Sequence, residues 1–190
     1  MNTISITRND QSLNELKKDA QKAQKKGLPF IMSSVLIWFL ILLMQFTGKP
    51  VSTVNLYTFM CSCMLLPLSV LFSKIIKADT FRKSDNPISK LGFICTMNQM
   101  LYILIVMWAF NRNPEAMLML YAMVFGAHLL PFGWVYDSKA YVVFSIADTF
   151  GALLIAVFFG NVAMAAFMIV MQAVLTILLF AEIRRDRQLE

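Results

Sequence analysis

Six long apolar runs, nearly free of charge, constrain this chain more than any other feature of its sequence. They cover residues 29–47, 56–76, 91–110, 116–135, 141–159 and 162–181. Each is close to the roughly 20 residues that a helix needs to cross about 30 Å of hydrocarbon. Helices are favoured because backbone groups in lipid must be satisfied within the segment. The sequence therefore predicts an all-α, polytopic transmembrane bundle of about six helices.

The charged residues are too few and too clustered for a water-soluble domain. They make up 15% of the 190 residues, whereas 58% are hydrophobic. A soluble domain usually has about a quarter of its residues charged. We predict a basic cytoplasmic segment at residues 1–28, a transmembrane domain at 29–182 and a basic cytoplasmic tail at 183–190.

The distribution of Lys and Arg predicts the orientation. If the runs cross the membrane alternately, fifteen of the seventeen basic residues fall on one side, and only Lys49 and Arg112 fall on the other. The positive-inside rule makes the crowded side cytoplasmic. We therefore expect a multi-pass protein of the cell membrane with both termini inside. The fifteen are Arg8, Lys17, Lys18, Lys22, Lys25, Lys26, Lys74, Lys77, Arg82, Lys83, Lys90, Lys139, Arg184, Arg185 and Arg187.

The net charge of +6 points to a membrane surface rather than to nucleic acid, because the charges stand beside the ends of the runs. Residues 12–26 predict a short amphipathic helix, in which Ser12 and Glu15 have the spacing of a capping box. Such a helix would lie among anionic lipid headgroups, the predicted partners. The alternative is a basic tail that only fixes topology.

Neither a metal nor a cofactor is predicted. The chain has one His and no Cys-x-x-Cys, so it offers no helical His pair for haem or zinc. Free cysteine behaves as a small apolar residue in a packed interior. That is the expected role of Cys61, Cys63 and Cys95.

Two ionisable side chains lie deep within the apolar runs, His128 in the fourth and Asp148 in the fifth. Both are about 10 Å from the inner boundary at 1.5 Å per residue. Consecutive helices joined by a short loop normally pack side by side, so a contact between His128 and Asp148 is plausible. An ionisable group at such depth is a hypothesis of function by default.

Amides on the third and sixth helices reach a similar depth and complete a candidate polar layer. A shared layer of this kind could bind a substrate, or it could only hold the helices together. Small residues beside Asp148, including Gly151 and Ala152, predict that its face of the fifth helix packs against protein. The candidate binding residues are Asn98, Gln99, His128, Asp148 and Gln172.

Pro67 is expected to kink the second helix near the middle of the membrane. Proline has no N–H to donate to the carbonyl of Cys63. The kink could be a hinge or a fixed bend.

The run from Gln24 to Met32, Gln-Lys-Lys-Gly-Leu-Pro-Phe-Ile-Met, with Trp38 after it, resembles the opening of a family of small uncharacterised bacterial integral membrane proteins. The likeness covers the first forty or so residues and is general afterwards. It implies a bacterial cytoplasmic membrane, and it implies no catalytic or binding residue.

Two classes of function remain open. The first is a small transporter or channel that uses the polar layer as its site. The second is a non-transporting assembly factor, membrane partner or lipid-binding protein. We do not expect an enzyme, because no Ser/His/Asp set or paired carboxylates are visible. The substrate is unspecified by the sequence, and a homo-oligomer is possible.

Overall fold

The computed structural model describes residues 12–80 and 84–188, and these residues form helices and short connections without a strand. The predicted all-α class is therefore confirmed. Arg8, Arg82 and Lys83, which were used in the orientation argument, lie outside the described residues. The helices are α1 (Leu13–Gln24), α2 (Leu28–Gln45), α3 (Val51–Cys63), α4 (Leu65–Ile75), α5 (Pro87–Arg112), α6 (Pro114–Ala127), α7 (Leu130–Val135) and α8 (Lys139–Gln188).

Five helical stretches of the described chain are long and apolar enough to cross a membrane. Large apolar side chains cover much of their outer surface; for example, Phe93, Leu101 and Trp108 of α5 are each more than 60% exposed. Water would strongly disfavour so large an apolar surface, whereas lipid would not. The five stretches are Leu13–Gln45, Val51–Ile75, Pro87–Arg112, Pro114–Val135 and Lys139–Gln188.

Helix α8 is not straight, because the chain folds back at Gly160. This residue has φ 82° and ψ 177°, a conformation that is essentially restricted to glycine. Asp148 and Gln172 each lie twelve residues from Gly160, yet their side chains are hydrogen-bonded at 2.7 Å. In a straight helix about 36 Å would separate them. Residues 139–159 and 161–188 are therefore two antiparallel arms, which we call the first and second arms of α8.

Two other stretches are interrupted before a proline. The helix ends at Cys63 and restarts at Leu65, just before Pro67, where the sequence predicts a kink. A second interruption separates α6 from α7, just before Pro131. Each proline leaves the carbonyl four residues earlier without its helical donor. The sequence analysis considered only the first of these two prolines.

One end of the bundle is organised around α1, and we call it the α1 end. The Asn86 side-chain amide donates to the Leu16 carbonyl at 2.7 Å, which holds the start of α5 against α1. The Lys26 ammonium, in the turn after α1, lies 3.1 Å from a carboxylate oxygen of Glu182 in the second arm of α8. The start of α5 and the end of α8 therefore meet α1 on the same side of the bundle.

Three further elements meet at the opposite end. The Asn55 amide of α3 donates to the Pro114 carbonyl at 2.8 Å. The Asn161 amide, just after the fold-back, donates to the Glu115 carbonyl at 3.4 Å. The starts of α3 and α6 and the fold-back at Gly160 therefore lie together.

The centre of the bundle is formed by α2, α6 and the two arms of α8. Trp38 of α2 is 1% exposed, with its ring 5.6 Å from that of Tyr121 and 5.8 Å from that of Phe125. The residue after Phe125, Gly126, brings the backbone of α6 against the first arm of α8. A Cβ atom added at Gly126 would lie 2.8 Å from Asp148 Cβ and 2.8 Å from the backbone nitrogen of Thr149.

We predict that Gly126→Ala lowers the thermal stability of the protein in detergent. Its methyl group would meet backbone rather than a flexible side-chain tip, and overpacking of this kind costs about 1–3 kcal/mol. Gly92→Ala is the matched control, because a Cβ there would meet its nearest neighbours at 3.8 Å and 3.9 Å. Equal melting temperatures for the two variants would contradict the close packing at Gly126.

Candidate functional site

A hydrogen bond between the two arms of α8 forms the core of the candidate site. Gln172 Nε2 donates to Asp148 Oδ2 at 2.7 Å, and both side chains have zero exposure to solvent. The antiparallel register created at Gly160 places these residues opposite each other. The first arm presents Asp148 together with the buried small residues Ser145 and Ala152, as its pattern of small residues predicts. Asp148 and Gln172, two of the five predicted site residues, are therefore direct partners.

Helix α2 adds a hydroxyl group to this pair. The Ser34 hydroxyl, which is 1% exposed, lies 3.4 Å from Gln172 Oε1 and 2.7 Å from the Ile31 carbonyl oxygen. The hydroxyl has one proton to donate and two acceptors within reach, and the closer acceptor is the Ile31 carbonyl of its own helix. Ser34 links α2 to the pair weakly. The sequence analysis missed it because serine is common in membrane helices and gives no signal of its own.

Asp148 Oδ1 is the unusual atom of the site. It is buried and has no hydrogen-bond partner among the described residues. A buried polar atom without a partner is costly, and an ionised carboxylate without a counter-charge is more so. No described cation is hydrogen-bonded or ion-paired with Asp148. Oδ1 is therefore the position at which a proton, a cation or the hydrogen-bond donor of a substrate could be accommodated.

Within the described part of the chain, no hydrogen bond or ion pair links His128 to Asp148. His128 lies at the interruption between α6 and α7, where its Nδ1 contacts the carbonyl of Phe125. The centroid of its ring is 5.2 Å from that of Phe125 and 6.0 Å from that of Phe132. The expected contact assumed one continuous fourth helix. The helix instead ends before Pro131, and the imidazole pairs with a carbonyl of its own turn. In α6, Gly126 lies directly against Asp148.

The two amides of α5 differ in burial. Gln99 is buried at 6% exposure, whereas the neighbouring Asn98 is exposed. Among the described residues, neither is hydrogen-bonded to Asp148. Adjacent helical residues point about 100° apart, so only one of the two can face inward. Of the five predicted residues, the structure joins Asp148 and Gln172 by a hydrogen bond and adds Ser34 to them. The five-residue layer as a binding site stays a prediction.

A second polar cluster, at the α1 end, was not predicted. The Lys26 side chain is 5% exposed, with its ammonium 3.1 Å from Glu182 and 2.8 Å from Asp186. The Tyr141 hydroxyl donates to the Lys26 carbonyl at 2.7 Å, and the Ser138 hydroxyl donates to Glu182 at 3.0 Å. The sequence analysis treated Lys26 as a surface charge. It is instead a buried ion-pairing residue that fixes the turn after α1.

That turn has an unusual backbone. Lys25, Lys26 and Gly27 all have positive φ angles, of 47°, 49° and 71°. Such angles are uncommon for lysine, so the surrounding contacts must hold them. A Cβ at Gly27 would lie 3.0 Å from both Tyr136 and Tyr141, so glycine is required there for space as well as for φ. A glycine directly after a basic helix end is a recognised helix-stop signal, and it could have revealed this turn.

We predict opposite effects for two substitutions in the Asp148–Gln172 pair. Asp148→Asn keeps an oxygen acceptor and removes the titratable group, so the protein should remain as stable as the parent or become more stable. Gln172→Leu leaves both carboxyl oxygens without a donor and should cost about 1–3 kcal/mol. Thermal unfolding in detergent measures both. A larger loss for Asp148→Asn than for Gln172→Leu would contradict this account of the pair.

A family of unknown function, DUF7010, matches residues 13–182. The match includes both the Asp148–Gln172 pair and the turn at Lys26. No curated protein and no solved structure matches the chain. The resemblance to an uncharacterised family is thereby confirmed, and the chain belongs to the DUF7010 family.

Proposed function

We propose that this chain is a small membrane transporter whose binding site is centred on Asp148. One observation carries the proposal: a fully buried carboxyl group has one oxygen without a partner, where α6 and the two arms of α8 meet. Binding of a proton or a cation at Oδ1 would change the cost of burying this group. That change would alter the packing of the helices around it. Coupling of this kind is what ion-linked transport requires.

The interruptions in the helices support a moving site. Gly126 covers Asp148, and the chain of α6 is interrupted two residues later, at His128. A second interruption, at Met64, divides the stretch that carries Pro67. Broken helices beside a buried polar site are a common plan of secondary transporters. In this proposal α7 moves relative to α6 and opens Asp148 to one side.

Six crossings with both termini in the cytoplasm belong to the same proposal. The fold-back at Gly160 divides α8 into two arms and so raises the five long stretches to six apolar segments. In the described chain, the basic residues gather at the α1 end, and the opposite end carries only Lys49 and Arg112. The positive-inside rule favours a cytoplasmic α1 end.

Cysteine labelling tests this topology in a variant whose three native cysteines are replaced by serine. Gly48→Cys and Asn113→Cys should react with an impermeant thiol reagent added to intact cells. Ser84→Cys and Lys139→Cys should react only after the membrane is permeabilised. Lys139 is preferable to the adjacent Ser138, which is buried at 2% exposure. Labelling of Lys139→Cys in intact cells would contradict the proposed orientation.

Access to Asp148 tests the transport function itself. Ser145→Cys and Ala152→Cys place thiols on the buried face that carries Asp148. If that face opens to water, a charged methanethiosulfonate reagent should modify them, and Asp148→Asn should change the rate. Leu154→Cys, at a side chain 54% exposed on the apolar outer surface, is the control that should stay unreactive. No reaction of Ser145→Cys and Ala152→Cys from either side would refute the transporter proposal.

A second candidate is a non-transporting membrane protein in which the pair only holds the two arms of α8 together. The zero exposure of both side chains and their 2.7 Å hydrogen bond favour this alternative. Interhelical hydrogen bonds in membranes typically contribute about 1 kcal/mol or less. Under this alternative the buried cysteines stay unlabelled, and Asp148→Asn has no effect beyond stability.

A further inference from the structure

A basic groove of about 760 Å³ lies at the α1 end, between α1 and the last turns of the second arm of α8. Three lysines of α1, two lysines of the turn after it, and Arg185 and Arg187 line this groove, against the two carboxylates of Asp137 and Asp186. We propose that the groove binds the phosphate-bearing headgroup of an anionic phospholipid. This proposal is independent of the transporter proposal.

The groove has a surplus of positive charge, because seven cations line it against two carboxylates. Asp186 lies 2.8 Å from the Lys26 ammonium, which Glu182 also contacts at 3.1 Å. Lys25, by contrast, lies within electrostatic range of two like charges, Arg187 and Lys77. Like charges repel one another, and an anion bound in the groove would relieve this repulsion.

Two surfaces beside the groove favour a lipid over a free anion. Along the second arm of α8, Ile177 and Phe180 are exposed, and they lead to Ile183, which lines the groove. An acyl chain could follow this apolar side while its headgroup occupies the groove. On the other wall, the Lys17 ammonium lies 3.7 Å from the centroid of the half-exposed Trp134 ring. Aromatic rings beside lysines are typical of the headgroup level of a membrane.

The position of α1 is consistent with this ligand. Its Leu13 is 52% exposed, whereas Leu16 packs against the core, so part of the apolar side of the helix is uncovered. A helix of this type buries its apolar side at the boundary between headgroups and acyl chains. The lysines of α1 then lie at the depth of the phosphate groups.

The test compares two triple variants that remove the same number of positive charges. The groove variant is Lys18→Gln/Lys25→Gln/Arg187→Gln, and the control is Lys74→Gln/Lys90→Gln/Lys139→Gln, at basic residues of the same end that do not line the groove. Purified protein in detergent is titrated with phosphatidylglycerol, phosphatidylcholine or inorganic phosphate. The shift in melting temperature gives the apparent Kd.

The parent and the control should bind phosphatidylglycerol in preference to phosphatidylcholine. The groove variant should bind it at least roughly tenfold more weakly, since three of the cations that attract the anionic headgroup are removed. If the triple variant does not fold, Lys18→Glu, at an exposed position, should weaken binding in the same direction. Equal weakening in the groove and control variants would overturn the proposal. An equal response to inorganic phosphate would overturn the assignment to lipid.

Discussion

The approach of α6 to the first arm of α8 at Gly126 sets the geometry at the centre of this bundle. With no side chain at residue 126, the Cβ of Asp148 and the backbone of Thr149 lie directly against α6. The second arm of α8 then supplies the donor that Asp148 uses, on Gln172. In the proposed membrane location, apolar attraction between helices would be weak, so close small-residue contacts and hydrogen bonds would specify which helices pair. At Asp148, Gly126 supplies the close small-residue contact and Gln172 supplies the hydrogen bond.

The sequence was sufficient to predict the helical class, the deep burial of Asp148 and the amide of Gln172 at a similar depth. The length of the apolar runs predicts helices, and the small residues around Asp148 predict its burial; both features can be read from neighbouring residues in the sequence. The direction of each side chain was harder to predict. Depth along a helix says nothing about its face, so Asn98 was grouped with the interior although it is exposed. The continuous apolar run predicts one helix through His128, whereas the helix is interrupted there, just before Pro131.

The ion pairs of Lys26 lay beyond sequence reasoning for another reason. Its partner Glu182 is 156 residues away, and the two meet only because the chain returns to the α1 end. A lysine beside an apolar run is usually a surface residue that fixes orientation. The left-handed turn at Lys25–Gly27 directs this one inward, where partners on the second arm of α8 neutralise it. A charge count finds the cation but not the direction in which it points.

The turn at Gly160 also bears on how this protein enters a bilayer during synthesis. In the proposed topology, the two arms of α8 are joined by almost no loop, so they would insert together as a helical hairpin. A single arm carrying Asp148 would expose a costly polar group to hydrocarbon. A hairpin presents Gln172 to Asp148 at the moment of insertion and hides both groups from lipid. The conformational freedom of one glycine would thereby lower the barrier to placing a carboxyl group inside a membrane.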